Sequence, residues 1–247
     1  MSDFFSCLVS FGIRQLGNKK LFEKVIKIAT ENLDSMLPRS CENFMFFFNN
    51  QDQLSASCKT SIAELIDHVD KQELIINGQV RDHLIILSLM QKCQIRNPSI
   101  LGQIAAVFKY QFLDNEPPMK KEQFINILLE YAFELHRCNH DPQDELWQKL
   151  QKQVEENIEL LSGLEFKAMA NLSILSVQKQ FSPEILKKLK ECSYDYVSSK
   201  DVAPGDIDSL CLLIGSLHIT ENLEASFLAH VVEKFQGALG KDELDLR

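Results

Sequence analysis

The chain has 247 residues, and its 45% hydrophobic and 25% charged residues exclude a disordered chain, which would be poorer in apolar residues. Nine glycines and seven prolines are too few for the many tight turns of an all-β protein of this length. A net charge of −9 has the wrong sign for a protein that coats nucleic acid uniformly, and the acidic excess is strongest after residue 200, with nine acidic and three basic residues.

In chain order, apolar stripes with helical spacing recur at a nearly constant interval. Their first residues are 41, 39, 45, 40 and 41 positions apart, which indicates a repeat of about 41 residues. The six stripes are Leu21-Val25-Ile28, Ile62-Leu65-Ile66-Val69, Leu101-Ile104-Phe108-Phe112, Leu146-Leu150-Val154-Ile158-Leu161, Leu186-Leu189-Tyr196 and Phe227-Val231-Phe235-Leu239.

A second apolar segment, nearly apolar on all sides, precedes the stripes in the chain. This pattern is typical of the helix of a pair that is buried between neighbouring repeats. A β-branched run such as Leu84–Leu87 could also form a buried strand, but no alternating segment is available to pair with it, so the context favours a helix. The segments include Phe44–Phe48, Leu84–Leu89, Ile127–Leu129 and Leu210–Ile214.

Helix-start signals lie between the two helices of a pair, since Asn, Asp, Ser or Thr can cap a helix and Pro fits its first turn. Helix-breaking residues lie between pairs. The start signals are Asn97-Pro98-Ser99, Asp141-Pro142-Gln143, Ser182-Pro183-Glu184 and Thr220-Glu221-Asn222, and the breakers are Glu116-Pro117-Pro118, Gly163 and Pro204-Gly205.

These patterns together predict an all-α protein, an α-solenoid of about six helical hairpins with about 12–13 helices. The repeat domain covers residues 1–240, and residues 241–247 form an acidic tail. The predicted repeats are residues 1–36, 37–78, 79–118, 119–163, 164–203 and 204–240.

The repeat unit resembles the degenerate helical-hairpin repeats of the octotricopeptide, heptatricopeptide and FAST-kinase-like group. The best match is Leu172–Leu189, and Asn97–Leu101 and Leu210–Phe227 are similar to it. The resemblance implies a mitochondrial or plastid protein that binds organellar RNA or is a subunit of an organellar ribonucleoprotein. The Trp/Gly/Tyr pattern of tetratricopeptide repeats and the RAP-like C-terminal domain of many group members are both missing.

The cysteines and the N-terminus bear on the compartment. Seven scattered cysteines without a CxxC pair indicate reduced, mostly buried thiols. No apolar run reaches the ~20 residues of a membrane span, and Met1–Phe5 resembles neither a secretion signal nor a transit peptide. We expect a mitochondrial location on the strength of the resemblance, with a cytoplasmic one as the alternative. The cysteines are Cys7, Cys41, Cys58, Cys93, Cys138, Cys192 and Cys211.

One cluster has metal-ligating residue types, His136-Arg137-Cys138-Asn139-His140. Zinc usually takes four ligands, and the segment runs into the Asp141-Pro142 cap, so a polar helix end is the favoured interpretation. The sequence carries no nucleophile elbow, phosphate-binding loop or dinucleotide fingerprint. We therefore expect no enzyme activity, no cofactor, no metal and no small-molecule substrate.

Two groups of lysines are candidate contacts with RNA or a partner: Lys19, Lys20, Lys24 and Lys27, and then Lys187, Lys188 and Lys190. The competing interpretation is a solvated helix face balanced by neighbouring glutamates. The aromatic run Phe44–Phe48 is expected in the core rather than as a platform for bases.

The sequence thus predicts a structural, non-catalytic subunit of an organellar ribonucleoprotein, with the mitochondrial ribosome as the leading candidate. Its contacts would be mainly with proteins, and locally with ribosomal or other organellar RNA. The alternative is an RNA-free scaffold or assembly subunit of a respiratory or cytosolic complex, which the acidic balance favours.

Overall fold

The computed structural model describes residues 20, 24–25, 27–28, 31–32, 38–49, 54–71, 78–115, 119–138, 145–199, 206–220 and 223–233. Within these ranges every regular element is helical and no strand occurs, so the predicted all-α class is confirmed. No helix in this part of the chain combines the length and the apolar character needed to cross a membrane.

The α-helices follow one another with short connections. In chain order they are α1 (Pro38–Asn49), α2 (Ala56–Lys71), α3 (Val80–Cys93), α4 (Pro98–Phe108), α5 (Lys121–Arg137), α6 (Glu145–Glu156), α7 (Phe166–Gln178), α8 (Pro183–Ser199) and α9 (Ile207–Ile219). A π-helical turn, Lys109–Leu113, extends α4, and a 3₁₀ helix, Ile158–Gly163, follows α6. Residues 225–233 are also helical, and we call them segment 225–233.

The chain divides into two compact units, residues 1–110 with 137–140, and residues 111–136 with 141–247. In the first unit α1, α2 and α3 pack against one another. In the second unit α7 packs against both α8 and α9, and α8 also contacts the 3₁₀ helix. In each unit, therefore, the first helix of one predicted hairpin packs on the first helix of the next: α1 on α3, and α7 on α9.

Polar contacts within each unit join residues that are 29 to 39 positions apart. In the first unit, the Asn97 amide donates to Asp67 at 3.0 Å and the Ser99 hydroxyl donates to Asp70 at 3.0 Å. In the second unit, the backbone N–H of Glu165 donates to the Asn126 side chain over 39 positions, and the Lys167 ammonium lies 2.6 Å from Glu130 over 37 positions. The division into six repeats itself stays a prediction.

A turn with the same construction ends α3 and α7. Gln94 has φ 59° and Gln180 has φ 54°, the left-handed conformation that usually closes a helix. The next N–H reaches back one turn, from Ile95 to the Met90 carbonyl at 2.8 Å and from Phe181 to the Ser176 carbonyl at 3.0 Å. A helix starting with proline follows each turn, after Asn97 or Ser182. The two turns are 86 residues apart, close to two periods.

Most residues of the predicted stripes form the core. Ile62, Leu65, Ile66 and Val69 are buried in α2, and Phe227 and Val231 are buried in segment 225–233. The prediction for α8 was wrong by one position, because Ile185 is fully buried whereas Leu186 is only half-buried. Leu21, Phe235 and Leu239 lie outside the described residues. Other buried stripe residues are Val25, Leu101, Ile104, Phe108, Phe112, Leu146, Leu150, Val154, Leu161 and Leu189.

The predicted helix starts have three different outcomes. The Asn97 side chain caps α4 by accepting from the Ile100 N–H at 3.1 Å, as predicted. Ser182 precedes α8, but its buried hydroxyl has no hydrogen-bond partner, so it does not cap the helix. Thr220 was misassigned: it ends α9, and its hydroxyl donates to the Ser216 carbonyl at 3.1 Å. The Asp141-Pro142 cap, the Glu116-Pro117-Pro118 breaker and the Pro204-Gly205 breaker lie outside the described residues.

Candidate interaction surfaces

The first group of lysines is exposed where the structure describes it. Lys20, Lys24 and Lys27 are all solvent-exposed helical residues, and Lys19 lies outside the described residues. The Lys27 ammonium lies 3.8 Å from the Glu31 carboxylate one turn later, an exposed pair that contributes little to stability. This group therefore keeps cationic side chains at the surface, where an anionic partner can reach them.

The second group of lysines, on α8, is largely neutralised by carboxylates. The Lys190 ammonium lies 2.5 Å from Glu224, and its hydrogen bond lowers the pKa of that carboxyl. Lys188 lies 3.6 Å from Glu159, and Lys187 alone of the three is exposed. The pairing partners come from neighbouring elements, not from adjacent turns of α8. Sequence reasoning could not see them, because they are 29 and 34 positions away.

The candidate metal cluster is held by ordinary side-chain contacts. His136 is half-buried with its ring edge-on to Trp147, 6.4 Å between ring centres, and burial followed by the nearby Lys179 lowers its pKa. The buried Cys138 thiol donates to the Leu87 carbonyl at 3.3 Å. Asn139 and His140 lie outside the described residues. Within the described part of the chain, no three His, Cys, Asp or Glu side chains are grouped as metal ligands would be.

The cysteines and the aromatic run are placed largely as predicted. Phe44, Phe47 and Phe48 are buried in α1, which confirms their assignment to the core, and the Arg81 guanidinium lies 4.9 Å from the centre of the half-buried Phe46 ring. Among the described cysteines only Cys211 is exposed. The buried thiols are Cys41, Cys58, Cys93, Cys138 and Cys192.

A groove of about 450 Å³ lies between α8, the end of α9 and the start of segment 225–233. Its apolar floor includes Leu217 and Phe227, and the half-exposed Tyr194 ring lies 6.1 Å from the Phe227 ring. Glu191 and Asp195 add two carboxylates to its lining. The groove is therefore apolar at its base and acidic at its edge, which suits an apolar segment with a cationic residue. Lys190 of the second predicted lysine group also lines the groove, where it is paired with Glu224.

A second pocket, of about 440 Å³, is more polar. Among the described residues it is lined by Arg96, which follows α3, and by Arg137 at the end of α5, together with Gln91 and Gln94. The sequence did not indicate that these two arginines line one pocket, because they are 41 positions apart and each is explained by its place near the end of a helix. A guanidinium near the end of a helix interacts favourably with the carbonyls there.

The last two described helices expose apolar side chains, which the sequence did not predict. The run Leu210–Ile214 was expected to be covered on all sides, but Cys211 and Leu212 are exposed and only Leu210 and Leu213 are fully buried. Outside this run, the exposed fraction of Ile219 is 68% and that of Val232 is 51%. The prediction of a fully covered helix was therefore wrong for α9 as the structure describes it.

Comparison with known proteins does not assign this chain to a family. No protein-family model, no curated protein and no solved structure matches it. The resemblance to organellar helical-hairpin repeats stays an expectation based on the residues of the repeat unit.

Proposed function

We propose that the chain is a non-catalytic helical-repeat subunit of an organellar ribonucleoprotein, with the mitochondrial ribosome as the first particle to test. In this role it is an α-solenoid of about six hairpins that contacts mainly proteins and touches RNA locally. Its location would then be mitochondrial.

The observation that carries the proposal is the recurrence of one packing scheme in both compact units. First helices pack on first helices, and polar contacts join positions 29 to 39 residues apart. The similar turns at Gln94 and Gln180 add a shared local conformation. Repeats that stack on their neighbours present extended surfaces for partners. These features support a binding role, and the organellar part of the proposal is supported by the sequence resemblance alone.

Local RNA contact is assigned to the exposed lysines of the first group. Lys20, Lys24 and Lys27 are exposed, although Lys27 forms an exposed pair with Glu31, whereas the half-buried Lys188 and Lys190 are engaged by Glu159 and Glu224. Each lysine at a phosphate releases counterions, so RNA binding by this group would weaken as salt rises. An RNA contact limited to one group also fits a chain with a net charge of −9.

Co-sedimentation tests the proposal directly. Tagged full-length chain is expressed in cells, the organelle fraction is lysed, and gradient fractions are probed before and after ribonuclease treatment. We expect the chain in a large particle that ribonuclease disperses. A chain that sediments alone, or is excluded from the organelle fraction, would contradict the proposal.

Variants test the assigned RNA contact. The triple change Lys20→Gln, Lys24→Gln, Lys27→Gln should release the chain from the particle at lower salt than wild type. The matched control changes Lys120, Lys121 and Lys152 to Gln, which removes the same charge from three other exposed positions. Equal release of both variants would show that net charge, not this group of lysines, sets the affinity.

A second candidate is an RNA-free scaffold or assembly subunit of a respiratory or cytosolic complex. The specific observation in its favour is that Lys188 and Lys190 are engaged by carboxylates, which weakens one of the two basic groups. Under this alternative the particle persists after ribonuclease treatment, and the lysine variants remain bound.

A further inference from the structure

Segment 225–233 and α9 each present an exposed apolar stripe. In both stripes, exposed apolar residues recur every three or four positions. Each stripe therefore follows one side of its helix. The exposed fractions of the large residues are 44% for Leu212, 68% for Ile219, 37% for Leu228 and 51% for Val232. We call these residues the terminal face: Cys211, Leu212, Gly215, Ile219, Ala225, Leu228, Ala229 and Val232.

The residues of the terminal face are distinct from the apolar residues that these two helices bury. Both helices already bury a separate apolar set: Leu210, Leu213 and Leu217 in α9, and Phe227 and Val231 in segment 225–233. The inner side of α9 packs against α7. The exposed residues therefore form a second apolar surface that the described fold does not use.

The helix just before this pair shows what a solvent-facing side looks like in this chain. The exposed residues of α8 are mainly polar, and include Glu184, Lys187, Glu191, Asp195 and Ser198. The stripes of the terminal face are apolar instead, which marks them as a place where another chain packs.

The charges around the terminal face indicate the chemistry of that other chain. From residue 201 to residue 233 the sequence contains six acidic residues and no lysine or arginine. Asp208 and Glu233 are exposed on the two helices, whereas Glu224 is paired with Lys190. A partner surface with the same acidic character would be repelled, and a basic one would be attracted and oriented.

We propose that the terminal face binds an α-helix of a partner protein, whose apolar stripe is flanked by lysine or arginine residues. The small residues Gly215, Ala225 and Ala229 within the stripes let the backbone of a partner helix approach closely. Recognition then follows the helix-in-groove mode, with apolar anchors spaced three or four positions apart. The inference rests on the proposed role as a subunit that contacts proteins and is independent of the RNA contact.

Binding of synthetic helices tests the partner chemistry. Two fluorescent peptides of about 18 residues share one leucine stripe and differ only in their flanks, lysine in one and glutamate in the other. With the full-length chain we expect the lysine peptide to bind at least about tenfold more tightly, with an advantage that shrinks as salt rises. Equal affinity of the two peptides, or tighter binding of the glutamate peptide, would overturn the proposal.

Neutral substitutions locate the site. The double change Leu212→Gln and Val232→Gln removes exposed apolar surface without altering charge or burying a polar group, and should weaken binding of the lysine peptide about tenfold. The control is Met119→Gln, which removes another exposed apolar side chain outside the terminal face, and should bind like wild type. If both variants bind like wild type, the peptide sits elsewhere and the assignment fails.

Cross-linking in cells identifies the natural occupant. A photoreactive amino acid is placed at position 212 or 232 of the full-length chain, and the linked peptide is sequenced by mass spectrometry. We expect a helical segment of another protein that carries lysine or arginine beside its apolar stripe. Links only to residues 234–247 of the same chain, links to a second copy, or no links would each overturn the inference.

The two proposals can fail separately. If the ribonucleoprotein role is wrong, the chain is found outside any ribonuclease-sensitive particle, while the terminal face still cross-links to a basic helix. If the proposed helix-binding site is wrong, the double variant stays in the particle and the terminal face cross-links to no such helix.

Discussion

At the scale of single residues, Asn97 and Ser182 show how one sequence pattern can have two structural outcomes. Both precede a proline that starts a helix, and both follow a left-handed glutamine turn. The Asn97 side chain accepts the Ile100 N–H and donates to Asp67, so both ends of its amide are used. The Ser182 hydroxyl is buried without a partner. A cap pattern therefore predicts where a helix begins but not which group satisfies its first N–H.

The first prediction compares these two residues. Asn97→Ala should lower the free energy of unfolding by about 1 kcal/mol, because a helix N–H loses its acceptor. Ser182→Ala should change it by less than about 0.5 kcal/mol or raise it, because a buried hydroxyl without a partner is removed. Urea denaturation followed by circular dichroism measures both. A loss for Ser182→Ala as large as that for Asn97→Ala would show that the hydroxyl does cap α8.

The second prediction concerns the left-handed glutamines. Gln180→Gly should stabilise the chain by about 0.5–1 kcal/mol, because glycine adopts a positive φ without the steric cost of a side chain. Gln178→Gly, two positions earlier at the right-handed end of α7, should destabilise it by a similar amount. The same denaturation measurement compares the two variants. Stabilisation by both, or by neither, would contradict the turn assignment.

The third prediction follows from the lowered pKa of His136. Because burial and Lys179 disfavour the protonated ring in the folded state, the unfolded chain binds more protons. The contribution of neutral His136 to stability is fully present above the unfolded pKa of 6.5 and is lost as the pH falls through the folded pKa. His136→Phe keeps a ring against Trp147 and removes the proton-binding site.

Unfolding midpoints at a series of pH values test this prediction. Between about pH 7.5 and pH 5 the midpoint of the wild-type chain should fall more steeply than that of His136→Phe. The control is Met119→Gln, an exposed change that neither adds nor removes a titrating group, which should keep the wild-type slope. Parallel curves for wild type and His136→Phe would remove His136 as a source of pH dependence.

At the scale of elements, α8 was predicted as a helix with its buried side rotated by one residue. A stripe drawn through Leu186, Leu189 and Tyr196 and one drawn through Ile185, Leu189 and Val197 both fit helical spacing. The structure buries the second set fully, while Leu186 and Tyr196 are half-buried. Periodicity predicts that a helix is present. Which of two adjacent apolar residues is buried depends on how other elements pack against that helix.

The fourth prediction distinguishes these two faces. Ile185→Ala should lower the free energy of unfolding by about 2–5 kcal/mol, since it leaves a cavity at a fully buried position. Leu186→Ala should cost about 1 kcal/mol, because its side chain keeps part of its contact with water. Denaturation curves of both variants decide the matter. A larger cost for Leu186→Ala would restore the stripe that the sequence favoured.

The end helices show why the candidate surface was harder to predict than the fold. Leu210–Ile214 has the same apolar composition whether its outer side meets another repeat or solvent. The exposed Leu212 and the buried Leu213 are adjacent leucines, and only the neighbours in space separate them. The lysines of α8 pose the converse problem, since they read as a basic patch until Glu159 and Glu224 are placed beside them. Long-range neighbours decide the character of a surface, and a single sequence does not list them.

At the scale of the whole molecule, the constant period predicts how far along the chain a destabilising substitution acts. In stacked repeats each unit contacts only its neighbours, so stability is approximately a sum of local terms and loss of one core need not unfold the rest. Ile62 in the first compact unit and Ile185 in the second are both fully buried and offer matched sites for the same change.

The fifth prediction is that Ile62→Ala lowers amide protection mainly within residues 1–110, whereas Ile185→Ala lowers it mainly within residues 141–247. Hydrogen exchange read by mass spectrometry under native conditions measures this peptide by peptide, and Met119→Gln, an exposed change, serves as the baseline. The physical reason is that each substitution removes about 2–5 kcal/mol from one local core, which raises the frequency of opening there. Uniform loss of protection along the chain in either variant would mean one cooperative core, and would contradict a repeat array.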